Sequence, residues 1–315
     1  MGLYTTRQEL IDFSQECIRQ RKAGGTLPTM PVGWAALWKP RFHIDTAYEP
    51  TWPKAYARLA AFWYGSTARG NDADSSKNGS YDVFAIDGND KLPFSAFSSL
   101  PIITCPGLGE CIKWCYSLKA WRNPHAFMRQ LVNTLRLVDG GQHIVKAWQA
   151  LPANDIVRLY VDGDIDSNKT LAFWFSLLEM RPDILAYGYS KSWPLFLSWE
   201  AKNRPFPSNY VLNLSGGSKY SKDMREAMEQ LPIARGEFLA LKTAVKMPKG
   251  KTSQEIRQSP EWPAYAAAVR QAAAAAGMGK VYVCPGKCGD CTLAKPVSHA
   301  CGNLKVGIPV VIGLH

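Results

Sequence analysis

Apolar positions near the start of the chain fall at Leu10, Phe13, Cys17 and Ile18, an i, i+3, i+7, i+8 spacing that predicts one amphipathic helix with Cys17 on its buried face. Pro, Gly and Trp then crowd residues 24–54, and 66–80 is a polar run of Ser, Asn, Asp and Gly, which predicts irregular chain and a boundary. The expected division is an irregular, helical and Trp-rich N-terminal extension over 1–80 and a second domain over 81–315. From residue 100 onward, short β-branched and aromatic runs alternate with helical stripes. The runs predict strands at 101–104, 156–161, 184–189, 210–214, 238–245 and 280–283. Between them Phe127, Leu131, Leu135 and Val138 mark one helix face, and further helices are expected at 171–180, 194–202, 222–231 and 260–276. The last is expected to open with Ser259 as N-cap and Pro260 in its first turn, and to stop at Gly277. Repeated βα units imply an α/β protein with a parallel sheet. Right-handed crossovers are expected to curl six of them into a partial (βα)6-type barrel whose chemistry collects at the carboxyl ends of the strands.

Composition narrows the class without changing that picture. With 46% hydrophobic and 20% charged residues the chain is neither disordered, collagen-like nor a coiled coil, so it is expected to fold on a buried core. No apolar run approaches the ~18 residues that span a bilayer, and the N-terminus lacks the basic, apolar, small-residue order of a secretion signal. A cytoplasmic protein without a membrane partner is therefore expected. The 37 Lys and Arg against 26 Asp and Glu leave a net charge of +11, which fits nucleic acid or another anionic partner. The basic residues are scattered, which equally suits a solvated basic surface.

Cysteine placement carries the chemistry. Seven of the eight cysteines fall in two clusters, and in a chain without an export signal such clusters point to metal ligands before disulfides. Cys105, Cys111 and Cys115 have C-x5-C-x3-C spacing where the first predicted strand ends. Cys284, Cys288, Cys291 and Cys301 have C-x3-C-x2-C-x9-C spacing where the sixth ends. Both loops open Cys-Pro-Gly, and a nearly closed sheet would set them side by side on one rim. Thiolates wrapped by Gly and Pro suit a [4Fe–4S] cluster, one or two in number, with zinc as the alternative metal.

The first loop, with Trp114 directly before Cys115, resembles the cluster loop of radical S-adenosylmethionine (SAM) enzymes, although those space their cysteines C-x3-C-x2-C. That resemblance implies a [4Fe–4S] cluster with one open iron, SAM as its cofactor, and a polar segment at the second strand's end that receives the cofactor's amino group. Here that segment is Asp162-Gly163-Asp164-Ile165-Asp166, which makes Asp162 and Asp164 cofactor candidates, while Asp166 with Ser167 suits the cap of the next helix. The Cys-Pro-Gly start, the Cys115-Tyr116 pair and the cysteine-rich C-terminal loop together resemble the phage and plasmid proteins of the gene product 88 family, over about residues 81–305. That second resemblance implies no activity.

Further candidates lie at the other strand ends. Ser215 and Gly216 offer a small side chain and backbone amides to a ribose or carboxylate, or else form a plain turn. Tyr187, Tyr189 and Lys191 suit either nucleotide stacking or ordinary packing. Lys246, Lys249 and Lys251 form a basic loop suited to phosphate, and Arg129 and Arg136, on one helix face near Arg122 and His125, suit an anionic partner or a solvated face. Two readings follow. One is an iron–sulfur redox enzyme resembling radical SAM enzymes; the other is a non-enzymatic, nucleic-acid-associated iron–sulfur protein of a mobile element, its clusters structural or redox-sensing.

Overall fold

The strands β1 (Ser95–Ala96), β2 (Ile156–Leu159), β3 (Leu185–Ser190), β4 (Tyr210–Ser215), β5 (Ala234–Lys242), β6 (Tyr282–Val283) and β7 (Val310–Leu314) form one all-parallel sheet in the computed structural model. Their order is β1-β2-β3-β4-β5-β7-β6. The structure describes residues 3–30, 52–65, 80–86, 92–121, 123–289, 291, 300–304 and 307–314. The expected polar boundary at 66–79 and Arg122 lie outside the described residues. No helix among the described residues is long and apolar enough to cross a membrane.

The parallel α/β sheet is as expected and is not closed: β1 and β6 stand at opposite edges and do not pair, so the near closure expected to set the two cysteine loops side by side is not there. Three local expectations also change. Residues 101–104 form a turn, with Ile102 at φ 69° and Thr104 N–H donating to Leu100 O at 3.2 Å; a short apolar run cannot by itself distinguish strand from other buried chain. The edge strand is instead Ser95–Ala96, and an unforeseen strand, β7, pairs between β5 and β6. The last long helix runs Trp262–Ala275 with Glu261 at its N-cap, while Ser259 closes the preceding helix Ser253–Gln258. Gly277, at φ 75°, ends the helical chain as expected.

Chain contacts divide the protein into two units, the first Met1–Phe84, Ser98–Thr104 and Cys115–Ala150, the second Ala85–Phe97, Cys105–Trp114 and Leu151–His315. In the first, the predicted stripe of the helix Leu3–Lys22 buries Leu10, Phe13 and Cys17. These join Leu59, Leu131 and Leu135 in one core, and Trp52 and Trp121 meet the Phe127 ring edge-on at 5.8 and 5.2 Å. In the second, strand pleating sends alternate residues to opposite faces. Tyr210 faces the helix Asn168–Met180, whose Phe175 ring lies 5.8 Å from it. Tyr187, Tyr189, Val211 and Val310 face the other way, into a cluster shared with Cys284, Cys288, Cys291 and Cys301.

Candidate metal-thiolate site

The two Cys-Pro-Gly segments need their glycines for different reasons. At Gly107 a Cβ would lie 1.9 Å from Lys191 O, so only glycine lets the first loop close on the end of β3. That loop then runs beside the turn after β4. Leu108 bridges Ser218, Lys219 N–H donates to Gly107 O at 3.3 Å, and Cys111 N–H donates to Gly217 O at 3.5 Å. Cys105 and Cys111 therefore serve the carboxyl ends of β3 and β4, not the end of the first strand. Cys115 belongs to the other unit, where it packs half-buried against the helical core.

Gly286, by contrast, has φ 75°, and the Met247 side chain fills the space a Cβ would need. Cys284 follows β6 directly, its N–H bonded to Val311 O at 2.8 Å. Cys291 and Cys301 are buried on the face of the sheet that Tyr187, Val211 and Val310 line. Burial pushes the thiols of Cys284, Cys291 and Cys301 up, Cys301 to about 11. The neighbouring cysteines add to the shift, Cys284 being raised by Cys301, Cys288 and Cys291.

Several groups oppose that burial and favour thiolate. Gly286 N–H donates to Cys284 Sγ and Ala300 N–H to Cys291 Sγ, each at 3.3 Å. Arg257 favours the charged form of Cys291 and Arg235 that of Cys301. Arg235 is 2% exposed and donates to Asn213 Oδ1 and, at 2.9 Å, to Ile308 O. Asn213, fully buried, donates to Gly188 O at 3.1 Å and Cys301 O at 2.8 Å, which ties the last cysteine to the middle of β4. Sequence reasoning missed Asn213 and Arg235 as parts of this site. The one available signal was a charged residue at the start of an apolar strand, which rarely buries without partners.

Among the described residues no three His, Cys, Asp or Glu side chains already stand as a ligand group for a metal ion. Loading the four thiols would require them to draw together and release their protons. Their number, shared cluster and N–H donors to sulfur fit a soft-metal or iron–sulfur ligand set.

The remaining candidates are placed as follows. Asp164 is buried, its carboxylate accepting from Ile165 N–H (2.8 Å), Ser190 Oγ (2.8 Å) and Lys191 N–H (2.7 Å); burial raises its pKa against the pull of those bonds. It stitches the end of β2 to the end of β3, and a cofactor's amino group would have to displace that stitching. Asp162 is half-buried nearby in sequence, and Asp166 and Ser167 cap the helix Asn168–Met180 by bonds to Thr170. Ser215 Oγ accepts from Lys191 Nζ at 2.7 Å, while Gly216 N–H donates to Phe238 O at 2.9 Å, so this amide is spent on the sheet. Tyr187 and Tyr189 pack in the cluster that holds Cys284, Cys288, Cys291 and Cys301.

The arginine expectation needs correcting. Arg136 is 6% exposed and donates to Asn133 Oδ1 at 2.9 Å and Tyr81 O at 2.5 Å, so it closes the helical core and cannot meet a phosphate at the surface. Arg129 is half-buried, and burial lowers its pKa. Lys246, Lys249 and Lys251 are exposed.

Fold and site together define a class: a cysteine-rich α/β protein on an open parallel sheet, with one cysteine loop at the strand ends and a second group of cysteines on one face of the sheet. The family profile described as gene product 88 matches residues 66–241, more than half of the 315-residue chain, and the chain belongs to the gene product 88 family. The match spans Cys105, Cys111 and Cys115 and stops before Cys284. No curated protein and no solved structure matches the chain.

Proposed function

We propose that the protein binds an iron–sulfur cluster through Cys284, Cys288, Cys291 and Cys301, with zinc as the alternative occupant of the same four thiols. The observation that carries this reading is that Cys284, Cys288, Cys291 and Cys301 pack in one cluster on a face of the sheet, where backbone N–H groups point at Cys284 and Cys291 sulfur. Four thiolates around one [4Fe–4S] cluster leave no iron open, so this site is structural or electron-carrying, and substrate chemistry is not assigned to it. Its structural value is direct, because metal-binding energy becomes folding energy where the ligands are not already drawn together. The test is anaerobic purification followed by iron, sulfide and zinc counts and an electron paramagnetic resonance spectrum of the reduced protein, with and without SAM. About four irons and a spectrum indifferent to SAM are expected for one fully ligated cubane. A spectrum that SAM perturbs would move the reading to the first loop and to an enzyme. Neither metal bound would overturn the proposal.

A further inference from the structure

We propose that residues 246–257 form a nucleic-acid-binding surface that engages phosphates without reading sequence, and that the second cysteine loop is the footing on which this surface stands; the footing part rests on the metal-binding reading above. Three contacts fasten the segment to the loop. Met247 packs where Gly286 has no side chain, its Cε 2.5 Å from the position a Cβ would take. Ser253 Oγ donates to Lys287 O at 2.7 Å, and Ser253 is fully buried. Arg257 donates to the Tyr282 hydroxyl, which in turn donates to Cys291 O.

Between and beside these anchors Lys246, Lys249 and Lys251 stay exposed. The acidic group within the segment, Glu255, is turned back to accept Lys251 N–H at 2.7 Å. Its other carboxylate neighbour along the chain is Glu261. Arg257 adds a guanidinium set between aromatic rings, 5.5 Å from Trp262 and 5.1 Å from Tyr282. Lysines on a loop give point-charge contacts to phosphate, and the helix in this segment, Ser253–Gln258, is six residues long, too short to lay a row of side chains along a groove, so the chemistry fits a single strand held by its backbone. Because the lysines sit on a connection with no hydrogen-bond ladder of its own, their spacing depends on those three anchors, and a slack cysteine loop would let them disperse.

The test measures binding of a fluorescent 20-nucleotide single strand by anisotropy across a salt series, with metal content recorded on the same samples. The K246Q/K249Q/K251Q triple variant should keep its metal and lose about 2 units from the log–log salt slope, at about −0.7 per phosphate contact on a single strand. Met247→Ala, which changes no charge and no thiol, should weaken binding several-fold, as should Cys288→Ser if that variant folds. No binding by the parent protein at low salt, or a triple variant that binds like the parent, would overturn the surface whatever the metal count shows. Equal binding of polyglutamate would overturn the assignment to nucleic acid. A parent without metal that still binds through the lysines would refute the metal reading and the footing together while leaving the surface standing. Met247→Ala with unchanged affinity would refute the footing alone.

Discussion

The helical unit and the sheet unit bury their interiors by different means. The helical unit closes on hydrocarbon and aromatic rings: Leu10, Phe13, Leu59, Phe127 and Leu131 pack together, and two of its interior polar groups, Asn133 and Arg136, bond to each other and to nearby carbonyls. The sheet unit is packed that way on its helix-covered face, where Phe175 meets Tyr210 and Tyr265 and Val269 meet Val311. On its other face apolar side chains such as Leu92, Val211 and Val310 share the cluster with four cysteines and two tyrosines, beside a buried Arg–Asn pair. Apolar surface leaving water stabilises the first interior without assistance. The second buries groups whose natural charged forms are costly to bury unless something binds them. The two regions should therefore answer differently to the same perturbation.

The largest contrast is expected from thiol removal. Cys291→Ala should lose the metal and expose 282–314 to hydrogen exchange, since structural metal sites can carry on the order of 10 kcal/mol of apparent binding energy. Amides of the helix Pro124–Val138 should keep their protection. Equal loss in both regions, or normal melting without metal, would break the comparison. The converse substitution is Phe127→Ala, which removes the ring against which Trp52 and Trp121 pack and should cost about 3–5 kcal/mol in urea unfolding. Metal content of the folded fraction should not change; if it falls, the helical core is not energetically separate from the thiol site.

Asn213→Ala sharpens the contrast at a single hydrogen-bonding residue. It leaves Cys301 O, Gly188 O and the Arg235 guanidinium short of a buried partner, for about 1–3 kcal/mol. It should also speed metal loss to a chelator, whereas a mere packing role would lower stability and leave that rate alone.

The smallest effects are pH slopes, and they should have opposite signs. Burial lowers the pKa of His125 and of His143, so both favour the neutral form in the fold. The unfolded chain then takes up protons first as pH falls from about 7 through the ordinary histidine value near 6.5, and the helical unit loses stability on that side. Burial raises the pKa of Asp164, so its contribution runs the other way: the penalty for keeping it charged is present at neutral pH and is relieved as pH falls toward the ordinary carboxylate range. Local exchange rates followed between pH 7 and 5, with Asp164→Asn as the control that should flatten the second slope, check both signs.

Much of the local structure was legible in the chain itself, for a physical reason. Periodicity is a property of neighbours, so the stripe ending at Cys17, the helix face of Phe127 and Leu131, and the runs that became β2, β3 and β4 could be read from spacing alone. Cysteines supplied by one loop are close in sequence as well as in space, which is why Cys284, Cys288, Cys291 and Cys301 stood out as a group. Only tertiary structure decided what depends on distant pairing. The run 101–104 joined the helical core and β7 entered between β5 and β6, because the partners that settle each lie far away along the chain. Arg136 looked like a surface cation until Tyr81 O and Asn133 enclosed it. Asn213 and Cys301, 88 positions apart, meet because β4 passes beneath the cysteine loop, and no local pattern of residues encodes that encounter.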